Sequence, residues 1–388
     1  MNPDVIIAGG GIGGAVLAAL LTRGGKRVLI VERAKGPPPF LRPEILWPRA
    51  VETLFSLKPR EFWEKECIRP VGGITLDRGG RLRPVITQET FQRAGVQPFF
   101  EQPNHTRETL LGICGAELRR GVEVVQLLRD GDGKRVLGLR ARVVETGEVF
   151  EVESALTVGD DGGDSKVRAG CGIALKRTDF PAEFFACALP WPADWAPDVV
   201  RLISPRGVGG GFIAFGVMPL PGGKAAGVVI IRAGFADDEI ALAGTWNRIA
   251  SAAADMPPEL RECGFPQKFT RIRRPWGHAA SYGVDGAVLL GDAIHPVTPA
   301  GGQGANMAIA DAAVLARLIL DGDASLVAKY HAERHTANAR GVRPSRLASH
   351  VFRIIGVPLL GALPGLMLPW LAQRQGIAVR LLRSLAGQ

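Results

Sequence analysis

The stretch DVIIAGGGIGGAVLAALLTRGGKRVLIVER, Asp4 to Arg33, decides how this chain folds. Its apolar run Val5-Ile6-Ile7-Ala8 has the length and β-branched content of a buried strand. The run breaks into Gly9-Gly10-Gly11-Ile12-Gly13-Gly14, which fits G-x-G-x-x-G with its glycines at 9, 11 and 14. A helical pattern follows, with Val16, Leu17, Leu20 and Leu21 on one face, and Gly24-Gly25 stops it. A second strand, Val28-Leu29-Ile30-Val31, ends on Glu32. Gly9 permits the tight turn, Gly11 lets a pyrophosphate approach the backbone, and Gly14 lets helix and strand pack closely. The helix start offers unpaired N–H groups and a partial positive charge to that phosphate. Glu32 can accept from ribose hydroxyls. Glycine is abundant here, at 50 residues, so the glycine pattern alone is a weak signal. Strand, glycines, helix, strand and acid in this order point to an ADP-containing dinucleotide rather than a plain glycine-rich turn.

At 388 residues the chain exceeds one average domain, and about two compact units are expected. The 46% apolar content suffices for large cores and excludes global disorder. The net charge is +9, without a run of five like charges or a basic-aromatic pattern for nucleic acid, so no nucleic-acid partner is expected. A basic soluble surface accounts for that charge, and attraction of anionic cofactors or of a membrane surface is the functional reading. Five cysteines, widely spaced and without C-x-x-C, support neither a disulfide framework nor a metal site. A reducing, cytoplasmic setting follows as an expectation, and the early strand leaves no room for a signal peptide.

After Glu32 come Gly36-Pro37-Pro38-Pro39, Arg42 and a helical stretch from Ala50 to Leu57. Residues 71–100 read as short β segments with turn glycines. Asn104 to Arg120 reads as one helix, ended by Gly121. Val122 to Val158 reads as strands with a hairpin turn at Asp130-Gly131-Asp132-Gly133. Within 176–275, tryptophans, prolines and the β runs Gly211 to Met218 and Ala226 to Arg232 suggest a sheet-based second domain, followed by a helix from Asp237 to Ala253. The strand Ala287 to Leu290 then runs into Gly291-Asp292, and Asp311 to Leu320 is helical. Val351 to Ala372 is nearly long enough to span a bilayer, but Arg353, Pro358, Pro364 and Pro369 interrupt it. Packing on the body is favoured over lying on a membrane surface.

Three separated motifs line up: the glycine loop, Gly159-Asp160-Asp161-Gly162 continuing to Arg168, and Gly291-Asp292-Ala293-Ile294-His295-Pro296 through Pro299, Gly302, Gly304-Ala305-Asn306 to Asp311. This set closely resembles the single-component FAD-dependent aromatic hydroxylases of the 4-hydroxybenzoate hydroxylase type. The resemblance implies that FAD is held by Gly9, Gly11, Gly13, Gly14, Glu32 and its neighbour Arg33, with Arg42 and Arg107 close to the cofactor. It gives Asp161 contact with FAD and the reduced nicotinamide, and Asp292 a ribityl hydroxyl. It places Gly302 and the helix start Gly304-Ala305-Asn306 against the flavin ring edge. His295 and Pro296 would shape the substrate side of the flavin, His295 more by position than by proton transfer. The chain departs from the family at Glu44-Ile45-Leu46-Trp47, at Asp160 and at Ile294.

The implied fold is α/β: a doubly wound Rossmann-like FAD-binding domain from residues 1–70, 101–175 and 276–350, an inserted β-sheet substrate domain from 71–100 and 176–275, and a helical tail, 351–388. The implied activity is hydroxylation or epoxidation of an aromatic or apolar electron-rich small molecule by O2 and NADPH or NADH, through a flavin C4a-hydroperoxide. No second G-x-G-x-x-G follows a strand, so the nicotinamide would bind without a Rossmann domain of its own. A monomer or homodimer is expected. A flavin reductase such as a prenyl-chain reductase, and a non-catalytic FAD-binding protein, remain as alternatives on the same scaffold.

Overall fold

The computed structural model describes residues 2–37, 44–77, 81–203, 212–235, 237–252, 258–299, 302–355 and 374–387. Its first βαβ unit is β1 (Val5–Ala8), α1 (Ile12–Arg23) and β2 (Val28–Glu32). All four β1 residues are buried, as a continuous apolar strand requires when helices cover both sheet faces. The remaining strands of this sheet are β3 (Glu117–Arg120), β4 (Leu156–Gly159), β5 (Gly283–Val284) and β6 (Ala287–Leu289). They lie in the order β5-β6-β4-β1-β2-β3, parallel except for the β5–β6 hairpin. The strand order reverses beside β1, so the carboxyl ends of β1 and β4 open on the crevice where a doubly wound fold takes its ligand.

The single helix expected from Asn104 to Arg120 is replaced by α2 (Pro103–Ile113) and the strand β3. Gly115, at φ +69°, breaks the helix against Thr22 of α1, and the chain turns onto the free edge of β2. There Leu29 pairs with Glu117 and Glu32 with Arg120. Exposure alternates along Glu117–Arg120, the period of a strand. The helix Gln88–Ala94 arises where only short β segments were expected. A capping box between Thr87 and Thr90 starts it, and Gly95 at φ +69° ends it.

A seven-stranded sheet forms the second layer, in the order Thr270–Ile272, Ala182–Pro190, Lys224–Arg232, Phe212–Leu220, Val199–Ile203, Gly73–Asp77, Leu82–Ile86. A small antiparallel sheet of Glu44–Leu46, Phe99–Glu101 and Ile68–Pro70 lies between the two large ones in the chain's path. Helix α3 (Gly304–Leu320) packs against α1, and α4 (Leu326–Ile355) packs against α3. The last described helix, α5 (Gln375–Leu385), buries Leu382 against Trp47, Val71, Phe91 and Phe100. Residues 356–373, which hold most of the apolar stretch Val351 to Ala372, lie outside the described residues. No described helix is long and apolar enough to cross a membrane. All five cysteines are buried and free.

Candidate active site

The glycine loop leaves β1 and enters α1 with Gly11 as its N-cap and no capping side chain. By position, the first-turn N–H groups have no intrahelical acceptor. Gly9 sits at φ +100°, a conformation in which an added Cβ would be strained and would also strike the Asp160 carbonyl. A Cβ at Gly11 would lie 2.5 Å from Asp160 Oδ2, and one at Gly13 would lie 3.1 Å from Ala308 Cβ. The absence of side chains therefore leaves a backbone cradle that fits a diphosphate at a helix start. Glu32 is turned onto this loop: Gly10 N donates to its Oε2 at 2.7 Å and Ala34 N to its Oε1 at 2.7 Å. Arg33 beside it is exposed.

The second motif meets the first from below. Gly14 N donates to Asp160 Oδ2 at 2.8 Å, and Asp160 N donates to Ala8 O. Burial pushes the Asp160 carboxyl well above the usual carboxylate range, and Asp161, Asp292 and Glu32 push it the same way against the Gly14 N–H. Asp161 Oδ2 accepts from Lys166 N at 2.6 Å and Val167 N at 3.1 Å, so it caps the short helix Lys166–Gly170. Its Oδ1 is buried without a partner among the described residues, a polar atom left for a bound group. Burial raises this carboxyl as well. Arg168 is buried and bridges two motifs, donating to Ala293 O at 2.9 Å and Gly163 O at 2.8 Å.

The third motif starts at the end of β6. Asp292, half-buried, accepts from Arg274 Nη1 at 3.1 Å. His295 is fully buried, with Nε2 at 2.5 Å from Asp311 Oδ2. Asp311 Oδ1 accepts from Arg334 Nε at 2.7 Å and Asn338 Nδ2 at 2.9 Å. Burial alone would raise Asp311, but the His295 ring, Arg334 and Asn338 outweigh it and hold its pKa at about 2. Pro296 O accepts from Gly277 N. Gly302, at φ +59°, packs on Ile45, and α3 begins at Gly304 without a side-chain cap. Asn306 clamps this start to the first large loop: Trp47 N donates to its Oδ1 at 2.7 Å, and its Nδ2 donates to Ile45 O at 2.7 Å and Gly302 O at 2.5 Å. Gln303 Nε2 donates to Leu385 O of α5.

The structure thus brings the glycine loop, Glu32, Asp160, Asp161, Asp292 and the start of α3 around one crevice. Arg107 donates to Glu108 Oε1 at 2.9 Å, and its Nε is buried without a partner among the described residues. Arg42 lies outside the described residues. Sequence reasoning singled out Asp160 only as a departure and passed over Arg334 and Asn338. The available signal was Asp311 in an apolar helix, with a cation and an amide four residues apart on α4.

A glycine cradle at a helix start, an acid closing β2 and a second helix start across the crevice define a dinucleotide-binding flavoprotein. Residues 2–345 match the family described as the FAD binding domain, and the chain belongs to that family. It is 31% identical over 352 residues to the rifampicin monooxygenase of Streptomyces venezuelae, covering 86% of this chain and 68% of the relative. It is 32% identical over 364 residues to the 12-dehydrotetracycline 5-monooxygenase/anhydrotetracycline 6-monooxygenase of Streptomyces rimosus, covering 89% and 69%. The solved OxyS anhydrotetracycline hydroxylase from Streptomyces rimosus superposes with a TM-score of 0.72 at 26% identity, over 100% of this chain and 76% of that one. The chain is an FAD-dependent monooxygenase.

Proposed function

We propose that this monooxygenase hydroxylates a large, apolar aromatic small molecule of the fused-ring kind, with O2 as oxidant and NADPH or NADH as electron donor. The observation that carries the reading is the rigid anchoring, on an apolar core, of the start of α3, the segment that would face the flavin ring. Trp47, Val71, Phe91, Phe100 and Val200 form a buried cluster, with Ile45, Ile74, Leu202 and Met218 packed on it. Asn306 ties the segment of Ile45 and Trp47 to Gly302, so this core is fixed to the segment that would face the cofactor. A packed apolar core behind that segment keeps water out, whose entry would uncouple the reaction. The names of the relatives, which give rifampicin, 12-dehydrotetracycline and anhydrotetracycline as substrates, support the fused-ring substrate class.

The residues present fit FAD. The α1 start and glycine loop would hold its diphosphate, Glu32 its ribose, and Asp292 its ribityl chain. The first-turn N–H groups of Gly304, Ala305 and Asn306 would meet its ring edge, where a helix start favours negative charge. Bound FAD supplies the electron transfer and oxygen chemistry. His295 is locked by Asp311 through Nε2, and its Nδ1 is buried without a partner among the described residues, which suits a positioning role. A screen of fused-ring aromatics for stimulated NAD(P)H oxidation, followed by product analysis under labelled O2, tests this. One labelled oxygen atom in the product is expected. Stoichiometric hydrogen peroxide with every stimulating compound, and no labelled product, would overturn it.

A further inference from the structure

From Arg334 to Gln388 the sequence holds Arg334, Arg340, Arg343, Arg346, Arg353, Arg374, Arg380 and Arg383, and not one lysine, aspartate or glutamate. This stretch therefore supplies eight of the nine net positive charges of the whole chain. Most of the charge on α4 is not spent internally. Arg334 is committed to Asp311, but Arg340, Arg343, Arg346 and Arg353 make no ion pair or hydrogen bond among the described residues. All four are exposed.

Their arrangement on α4 is one-sided. Arg340, Arg343, Arg346, Leu347, His350, Val351 and Arg353 are exposed and recur at spacings of three and four, which places them on one stripe. The opposite stripe, Asn338, Val342, Ser345 and Ser349, is buried against the body, where Ser345 receives Thr298 and Ser349 receives Trp276. Within the cationic stripe Leu347 is 66% exposed and Val351 38% exposed, although a purely solvated face would carry polar residues there. From Ile354 to Gln373 the sequence that leaves this stripe is uncharged and rich in leucine.

We propose that the outer stripe of α4 is a docking surface for an anionic lipid bilayer, lying in the plane of the headgroups. Arginines reach the phosphates while Leu347 and Val351 enter the acyl boundary. Nucleic acid would be met by arginines interleaved with aromatic rings, whereas the apolar members of this stripe are aliphatic. The inner stripe of the same helix packs on the α3 start and the third motif, where Val342 meets Met307 and Ser345 accepts from Thr298 N, so the outer stripe faces away from the flavin side.

The test uses the full-length flavin-loaded protein and vesicles of phosphatidylcholine alone or with phosphatidylglycerol. Co-sedimentation with the phosphatidylglycerol vesicles, none with phosphatidylcholine alone, and release by salt are expected. The pair Arg343→Glu/Arg346→Glu should weaken vesicle binding roughly 25-fold or more, at about fivefold per lost arginine, with flavin content and thermal midpoint unchanged. Hydrogen exchange of the wild-type protein should slow at residues 340–353 when the anionic vesicles are added. Failure to bind either vesicle, equal binding to both, undiminished binding by the paired variant, or binding to an RNA homopolymer without vesicle binding would each overturn the proposal.

Discussion

Asp311 is the residue whose removal should be felt most. It is fully buried, and each oxygen is committed: Oδ2 faces His295 Nε2 at 2.5 Å, while Oδ1 accepts from Arg334 at 2.7 Å and Asn338 at 2.9 Å. Asp311→Ala leaves a buried imidazole, a nearly buried guanidinium and a buried amide without their common acceptor. Deleting one partner of such a network costs about 3–5 kcal/mol, because the remaining charge stays buried and unpaired. Asp311→Asn keeps an acceptor oxygen but not the charge, and should cost about 2 kcal/mol, the range for a charge-assisted hydrogen bond. The depressed pKa fixes the acid side. Its folded value, about 2, lies below the ordinary 3.8, so this stability is in place above pH 3.8 and is lost as pH falls through about 2. Urea denaturation read by tryptophan fluorescence, at neutral pH with flavin in excess, measures each cost. An Asp311→Ala protein within about 1 kcal/mol of the parent would refute the claim that this carboxylate holds the three elements together.

Two further outcomes follow from the same geometry. Burial, helped by nearby His295 and His335, lowers the His278 pKa to about 4, so the unfolded chain binds the proton more readily. Stability should be full above pH 6.5 and fall between 6.5 and 4, by about 2 kcal/mol after allowing for the ring's partial exposure; a His278→Gln protein with the parent's pH slope would contradict this. An alanine Cβ at Gly14 would lie 2.6 Å from Asp160 Oδ2 and 3.0 Å from Gly9 O. Gly14→Ala should therefore cost about 1–3 kcal/mol and reduce flavin content, and Asp160→Ala should recover part of the loss. A double-mutant cycle with no coupling would refute the contact.

What the sequence made legible is the part written in local backbone geometry. Val5 to Glu32 announces strand, glycine turn, helix and strand because each feature needs only neighbours in the chain, and the structure places all of them. Gly302 to Asn306 was legible for the same reason, as a turn opening a helix. The misreading at 104–120 has the opposite cause. Glu117-Leu118-Arg119-Arg120 carries no β-branched residue, and it becomes a strand because β2 offers it an open edge. The Gln88–Ala94 helix was hidden in a similar way, its start set by the Thr87–Thr90 box rather than by an apolar period.

The residues that join the motifs are a different matter, because their partners lie far along the chain. Asp160 meets Gly14 across 146 positions, Arg168 meets Ala293 across 125, and Asn306 meets Trp47 across 259. Each is a polar side chain spent on a backbone group, and no local periodicity marks such a pairing. These three contacts register the glycine loop, the second motif, the third motif and the segment of Ile45 and Trp47 against one another. Backbone groups accept or donate whatever side chain stands at their position, so at Ala293 and Trp47 the pairing rests on the distant side chain, whereas Gly14 must also stay a glycine to leave Asp160 room. The crevice is therefore specified by glycines that keep room for the backbone to come close and by a few buried polar residues that hold it there. The first set reads directly from sequence. The second becomes visible only when the strands are in order.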